Sequence, residues 1–203
     1  PTKHEKYRRL LERCKALPPT PTAVAHPCDE SSLKGALDAA QLGLIDPILV
    51  GPESRIRALA SRLGLDLAGR EVVDAPYSHE SAARAVALVR EGRVEALMKG
   101  SLHTDELMGE VVRRDTGLRT ARRISHCFIM DVPGRSEPLI ITDAAVNIAP
   151  TLADKVDITQ NAIDLAHALG VDDVRVAILS AMETVNPAVP STIEAAALCK
   201  MAD

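Results

Sequence analysis

The sequence predicts an α/β protein: a parallel sheet wrapped by helices, followed by a part in which parallel and antiparallel strands mix. Three observations carry that expectation. Short runs of Val, Ile and Leu recur at intervals of about two dozen residues, each followed by a helical pattern. Aromatic residues number only two Tyr and one Phe, with no Trp, so the core is packed from Ala, Val, Leu and Ile, as in helices covering a Val/Ile-rich sheet. Hydrophobic residues make up 46% of the 203 positions, enough to bury an extended core.

Taken in order, Tyr7, Leu10, Leu11 and Cys14 form one apolar face of a first helix, which Pro18-Pro19 ends. Thr22–His26 is a first strand, and Ser31-Ser32 opens a helix with Leu33, Ala36, Leu37 and Ala40 on one face. Pro47–Val50 is the second strand, with a helix through Ile56, Leu59, Ala60 and Leu63. Glu71–Asp74 is the third, with a helix after Ser78 bearing Ala82, Ala85, Val86 and Val89. The fourth runs from Val94 to Lys99 and leads into the helical pattern of Leu107–Val112. Repeated βα units with short connections imply parallel pairing. The rhythm changes after Gly117: Ile124–Asp131 and Pro138–Asp143, joined by Pro133-Gly134, read as an antiparallel hairpin. A domain boundary is expected near residue 130, giving domains 1–130 and 131–203. A long helix from about Asp154 to Gly170, a buried strand Val174–Ser180 and a helix opened by Ser191-Thr192 complete the chain.

The stretch Lys99-Gly100-Ser101-Leu102-His103-Thr104-Asp105-Glu106 leaves a strand and starts a helix. Thr104 or Ser101 suits the cap, and Asp105 and Glu106 suit the positive end of the helix dipole. An ammonium, a glycine, a hydroxyl and an imidazole at a strand end beside a helix N-terminus are what an anionic ligand needs, although Lys-Gly also serves simply to leave a strand. Arg119, Arg122 and Arg123 either clamp phosphate through their guanidinium forks or form a solvated, charge-rich loop. His26 reads as a satisfied or exposed turn residue and His126 as structural. Asp143 and Asn147 stand at a strand end with no apolar role, as ligand contacts or loop caps.

Several classes lose support. A net charge of −4 gives no basic field for nucleic acid, and the lack of aromatics removes stacking platforms. No apolar run approaches membrane-spanning length, and the charged N-terminal residues are unlike a signal peptide. Cys14, Cys28, Cys127 and Cys199 are scattered, as in reduced thiols of a cytoplasmic protein. No cluster has metal-ligand spacing, and Gly-rich phosphate loops, dinucleotide fingerprints, nucleophile elbows and zinc-protease motifs are missing. The chain opens at Pro1 and closes within a helical pattern, as a piece of something longer would.

Four stretches carry a resemblance: Met98–Leu107, Arg123–His126, Ile141–Pro150 and Ala177–Pro187. In order and spacing the chain resembles the phosphate acyltransferases, the family of phosphate acetyltransferase and phosphate butyryltransferase. His26-Pro27-Cys28-Asp29 and Val50-Gly51-Pro52 look most like the form fused behind an enoyl-CoA hydratase domain. The resemblance implies reversible transfer of an acyl group between coenzyme A and inorganic phosphate. It implies an isocitrate dehydrogenase-like fold, two α/β domains with a cleft between them, and a cytoplasmic homodimer with coenzyme A as substrate and neither cofactor nor metal. It assigns Arg123 and Arg122 to phosphate contact. Lys99, Ser101, His103, Thr104, Asp143, Asn147, Ser180, Glu183, Thr184 and Asn186 become substrate-binding positions. Members run on beyond the counterpart of residue 203, so the catalytic residues are expected in that further segment. The alternatives are a non-catalytic fragment that binds coenzyme A or phosphate, and a hydroxy-acid dehydrogenase of the same fold class.

Overall fold

The structure, a computed structural model, describes residues 5–202. Four βα repeats appear as the sequence predicts. The first helix is α1 (Glu5–Lys15), and the repeats run β1 (Thr20–Ala25), α2 (Glu30–Gln41), β2 (Ile45–Gly51), α3 (Glu53–Leu63), β3 (Val72–Asp74), α4 (Ser78–Arg90), β4 (Ala96–Lys99) and α5 (Thr104–Val111). All pairings in this sheet are parallel, in the order β3-β2-β1-β4. Strand order therefore runs outward from β1 to β3, and α4 then carries the chain back to the other side of β1. The reversal falls between β1 and β4, where an open α/β sheet leaves a crevice at the strand ends.

Alternation along the strands sorts the core into two layers. Val24 and Leu49 join Leu33, Ala36, Ile56, Leu59 and Ala60 beneath α2 and α3. Ala23, Ala25 and Val50 face the opposite way, against Ala82, Ala85, Leu88, Leu102 and Leu107 of the α4–α5 side. Alanine on both sides of the second layer suits close approach of α4 to the sheet. The core is aliphatic, as composition requires; Tyr7, Tyr77 and Phe128 are all exposed.

The rest of the chain holds β5 (Cys127–Met130), β6 (Leu139–Thr142), α6 (Leu152–Ala168) and α7 (Pro190–Met201). The expected hairpin is present, β5 and β6 pairing antiparallel with Cys127 opposite Thr142. Lys6 of α1 holds its turn, donating to Val132 O (2.9 Å) and Arg135 O (3.0 Å) and pairing with Asp131 (2.7 Å). Lys155 of α6 pairs with Glu194 of α7. The chain divides into two compact units, Leu11–Thr120 and the remainder.

Two local expectations are corrected. Val174–Ser180 is not a strand: the segment is irregular, with Val176 50% and Leu179 87% exposed. Its β propensity is genuine, but a strand exists only through ladder hydrogen bonds, and no neighbouring strand pairs with it among the described residues. Neither Thr104 nor Ser101 caps α5; His103 holds that position, its N–H donating to Glu106 Oε2 (2.8 Å). The Ser101 hydroxyl is diverted instead to the end of β1, where it donates to His26 O (2.8 Å).

Candidate functional site

The end of β1 is built around a histidine in the left-handed region. His26 has φ 58°, a conformation rare for any residue but glycine, though less so for Asn, Asp and His. It is held there by its own carbonyl, which accepts from Cys28 N (2.8 Å), Ser101 N (2.9 Å) and Ser101 Oγ. Ser101 Oγ also accepts from Cys28 N (3.1 Å). Gly100 N donates to Ala25 O (2.8 Å), extending the ladder between β1 and β4.

His26 is buried, 7% exposed as a residue. Its Nδ1 lies 2.9 Å from Ser81 Oγ, and Ser81 Oγ donates to Tyr77 O (2.9 Å). With the serine hydrogen committed to that carbonyl, Nδ1 carries the proton and donates to Ser81. Burial first, then the charge of Arg55, lowers the His26 pKa, while Glu106 raises it less. Stability gained from the neutral ring is therefore complete above the ordinary value near 6.5 and falls as pH drops through it towards the lowered folded value. The drop in melting temperature from pH 7.5 to 5.5 is expected to be smaller in His26→Asn than in the wild type, as measured by circular dichroism.

Around this ring stand the positions expected near β4. Lys99 Nζ donates to Gly100 O (3.3 Å) and Arg55 Nη2 to Cys28 O (3.4 Å), so both cations meet carbonyls. The neighbouring carboxylates are engaged locally. Asp29 caps α2 by accepting from Ser32 N and Ser32 Oγ, and Glu106 accepts from Ser78 Oγ (2.5 Å) and His103 N. The Ser78 bond, then the His103 bond, hold the Glu106 carboxyl below its usual range. Lys99, Ser101, His103 and Thr104 thus share the stretch from the last residue of β4 to the first of α5, but the Ser101 hydroxyl serves the backbone. His26 is the residue of this site that sequence reasoning misses, since by type it reads as a turn residue; its one signal is a polar His-Pro-Cys-Asp run after an apolar strand.

In the other unit, Arg122, Arg123, Asp143 and Asn147 belong to one network. Arg123 Nε donates to Asn147 Oδ1 (2.7 Å), and Arg123 N to Asp157 Oδ2 (2.7 Å). Asn147 Nδ2 donates to Asp143 Oδ2 (2.6 Å) and Ile124 O (3.0 Å). Arg122 Nη1 donates to Asp164 Oδ2 (2.6 Å). Asp143 is the hub, accepting also from His126 N (2.8 Å), Val146 N (3.4 Å) and Asn147 N (2.6 Å). Both arginine side chains stay about half exposed, so the network orients them and leaves them reachable. His126 Nδ1 is the one buried side-chain nitrogen or oxygen without a partner among the described residues.

The last expected group is looser. Ser180 Oγ lies 2.7 Å from Ser191 Oγ, and Asn186 N donates to Thr192 Oγ1 (2.9 Å), tying the loop to the start of α7. Glu183 and Thr184 are exposed. No group of three or more His, Cys, Asp or Glu that could hold a metal occurs among the described residues, and no helix there is long and apolar enough to cross a membrane.

A family model described as "Phosphate acetyl/butaryl transferase" matches residues 76–203, from the start of α4 through both arginines and on to α7. The chain belongs to the phosphate acetyl/butyryltransferase family. It is 63% identical over its whole length to the phosphate acetyltransferase of Rhizobium meliloti, of which it spans 64%. It is 35% identical over 197 residues to the phosphate butyryltransferase of Clostridium acetobutylicum, covering 97% of this chain and 65% of that protein. Among solved structures, a phosphotransacetylase from Streptococcus pyogenes superposes with a TM-score of 0.77 at 18% identity, over all of this chain and 70% of that one. The fold is thus shared beyond the reach of close sequence similarity. The chain spans less than two thirds of the length of these acetyl- and butyryltransferase relatives.

Proposed function

We propose that the protein transfers an acyl group reversibly between coenzyme A and inorganic phosphate. What carries the reading is that the family match takes in both polar clusters, the Lys99–Thr104 segment and the Arg122–Asn147 network. In the forward sense the coenzyme A thiolate attacks the carbonyl carbon of an acyl phosphate. A carbon–sulfur bond forms, the bond from that carbon to the phosphate oxygen breaks, and phosphate departs with the electron pair. Each substrate carries phosphoryl groups, and negative charge grows on the leaving phosphate, so fixed cations lower the barrier. Arg123, oriented by Asn147, and Arg122 take phosphate contact, and Lys99 and the Ser101–Thr104 segment take a second phosphoryl group. Ser180, Glu183, Thr184 and Asn186 complete the substrate-binding set, with Asp143 acting through Asn147.

Coenzyme A enters as a substrate, and the scheme needs neither cofactor nor metal. Residues that move the thiol proton are assigned to the further segment that longer relatives possess. The isocitrate dehydrogenase-like architecture, with residues 1–130 and 131–203 in its two α/β domains, belongs to the same proposal. So do a cytoplasmic location, assembly as a homodimer and a preceding hydratase domain in the full-length protein.

Arg123→Ala is expected to lower acetyl or butyryl transfer to phosphate by at least about tenfold, roughly 1.4 kcal/mol of transition-state stabilisation, while circular dichroism stays unchanged. Full turnover in a folded Arg123→Ala variant would remove the arginine from the site.

A further inference from the structure

The expected substrate positions leave the most constrained side chain of the sheet unused. His26 ends the central strand β1, at the point where strand order reverses. It holds a left-handed backbone conformation that costs roughly 1–3 kcal/mol and persists only where its surroundings fix it. Three donors fix its carbonyl and Ser81 fixes Nδ1. Among the described residues Nε2 has no hydrogen-bond partner and is not fully enclosed, although His26 as a whole is only 7% exposed.

A neutral imidazole so arranged has one remaining capability at Nε2: it accepts a hydrogen bond and does not donate one. Two cations stand nearby. Lys99 is opposite Ala25 in the β1–β4 register, one residue from His26, and Arg55 donates to the carbonyl of Cys28, two residues on. The two carboxylates on the same loops are hydrogen-bonded, Asp29 by Ser32 and Glu106 by Ser78 and His103, and Asp29 also feels the charges of Lys99 and Arg55, which a phosphoryl group would share with it. Cations attract an oxyanion of any kind. A neutral acceptor beside them adds a condition, because a fully deprotonated oxyanion meets it lone pair to lone pair, whereas an oxyanion carrying a proton donates to it.

The geometry points to His26 as a ligand-contact residue that selects a protonated phosphoryl group, its Nε2 accepting the P–OH hydrogen while Lys99 and Arg55 neutralise the remaining oxygens. This rests on the acyltransferase reading for its substrate class and adds a selectivity: hydrogen phosphate is accepted and sulfate, of the same size and charge but without a proton at neutral pH, is refused. Burial and the Arg55 charge hold the ring neutral. Ser81 is a positioning residue, since it keeps the proton on Nδ1 and the lone pair on Nε2.

The test is binding of inorganic phosphate and of sulfate to the 203-residue chain at pH 7.5, with coenzyme A and dephospho-coenzyme A as further arms, followed by titration calorimetry and by the 15N resonance of His26 Nε2. Phosphate is expected to bind at least tenfold more tightly than sulfate and to move the Nε2 resonance, which sulfate leaves in place. His26→Asn keeps a residue tolerant of the left-handed region and an amide N–H at the Nδ1 position. It is expected to fold and to bind both anions equally. His26→Gln, which places an acceptor near the Nε2 position, is expected to recover part of the preference. Neither coenzyme A nor dephospho-coenzyme A is expected to displace phosphate, since the phosphomonoester of coenzyme A is almost fully deprotonated at pH 7.5 and its pyrophosphate carries no P–OH; displacement by either would overturn the inference. Equal binding of phosphate and sulfate by the wild type, absence of phosphate binding, or a preference that survives in His26→Asn would overturn the inference. Acyl transfer by a protein that carries the further segment of the longer relatives, alongside any of those results, would leave the acyltransferase reading standing, so the two fail separately.

Discussion

Gly100→Ala is expected to destabilise the Leu11–Thr120 unit by about 3–5 kcal/mol, a large share of the roughly 5–15 kcal/mol that holds a domain of this size together. A Cβ at this position would stand closer than 3.0 Å to Ala25 O, His26 O and His26 C. All three are backbone atoms at the end of the central strand, so no rotamer change relieves the overlap. The β4 end has to move away from β1. That separation also loosens the bonds from Gly100 N to Ala25 O and from Ser101 N to His26 O, each worth about 1 kcal/mol net. Gly109→Ala is the matched control. It lies within α5, where an added methyl group would meet nothing within 4 Å, so alanine should stabilise by about 0.5–1 kcal/mol through its better helix propensity. Urea unfolding followed by circular dichroism gives both signs in one experiment. Equal stabilities for the two variants would mean that β4 does not approach β1 this closely.

Asp143→Ala is expected to cost the other unit about 2–4 kcal/mol, because one carboxylate serves three backbone N–H groups and the Asn147 amide. These donors are half-buried, so leaving them without an acceptor forfeits part of their solvation. The loss propagates: the Asn147 amide keeps only its bond to Ile124 O, and Arg123 Nε is left with a less firmly held partner. Burial pushes the Asp143 carboxyl up, but hydrogen bonds from His126, Asn147 and Val146 outweigh it, so the net shift is downward. Stability from this group is therefore present above the ordinary value of 3.8 and lost as pH falls through the lower folded value. Amide exchange at His126 and Asn147 should accelerate in the variant at pH 7, and in the wild type only on strong acidification. Unchanged exchange at both amides in Asp143→Ala would show that the carboxylate is not the hub.

Much of this is legible from the chain. The βα rhythm sets four parallel strands, because apolar runs of strand length between amphipathic helices leave few other ways to bury both faces of a sheet. The Pro133-Gly134 turn marks the hairpin. Four expected binding positions, Arg122, Arg123, Asp143 and Asn147, do meet in one network. Sequence reasoning fails where a residue's role depends on a distant partner. Val174–Ser180 has the composition of a strand, but composition cannot supply the neighbour a ladder needs. Ser101 is a sound helix cap by type, yet it caps nothing because the carbonyl of His26, 75 residues away in sequence, claims its hydroxyl.

By itself the sequence determined the class of fold, the aliphatic core and the family, since these follow from local periodicity, composition and motif order. Only the tertiary structure decided which polar groups remain available to a ligand. Ser101 and Asp143 are spent on backbone hydrogen bonds, Arg123 is oriented by Asn147, and His26, unremarkable as a letter in the chain, keeps a nitrogen without a partner among the described residues at the reversal point of the sheet. The physical reason is that a side chain's availability is what remains after its neighbours have satisfied it, and those neighbours are chosen by the packing of strands far apart in sequence.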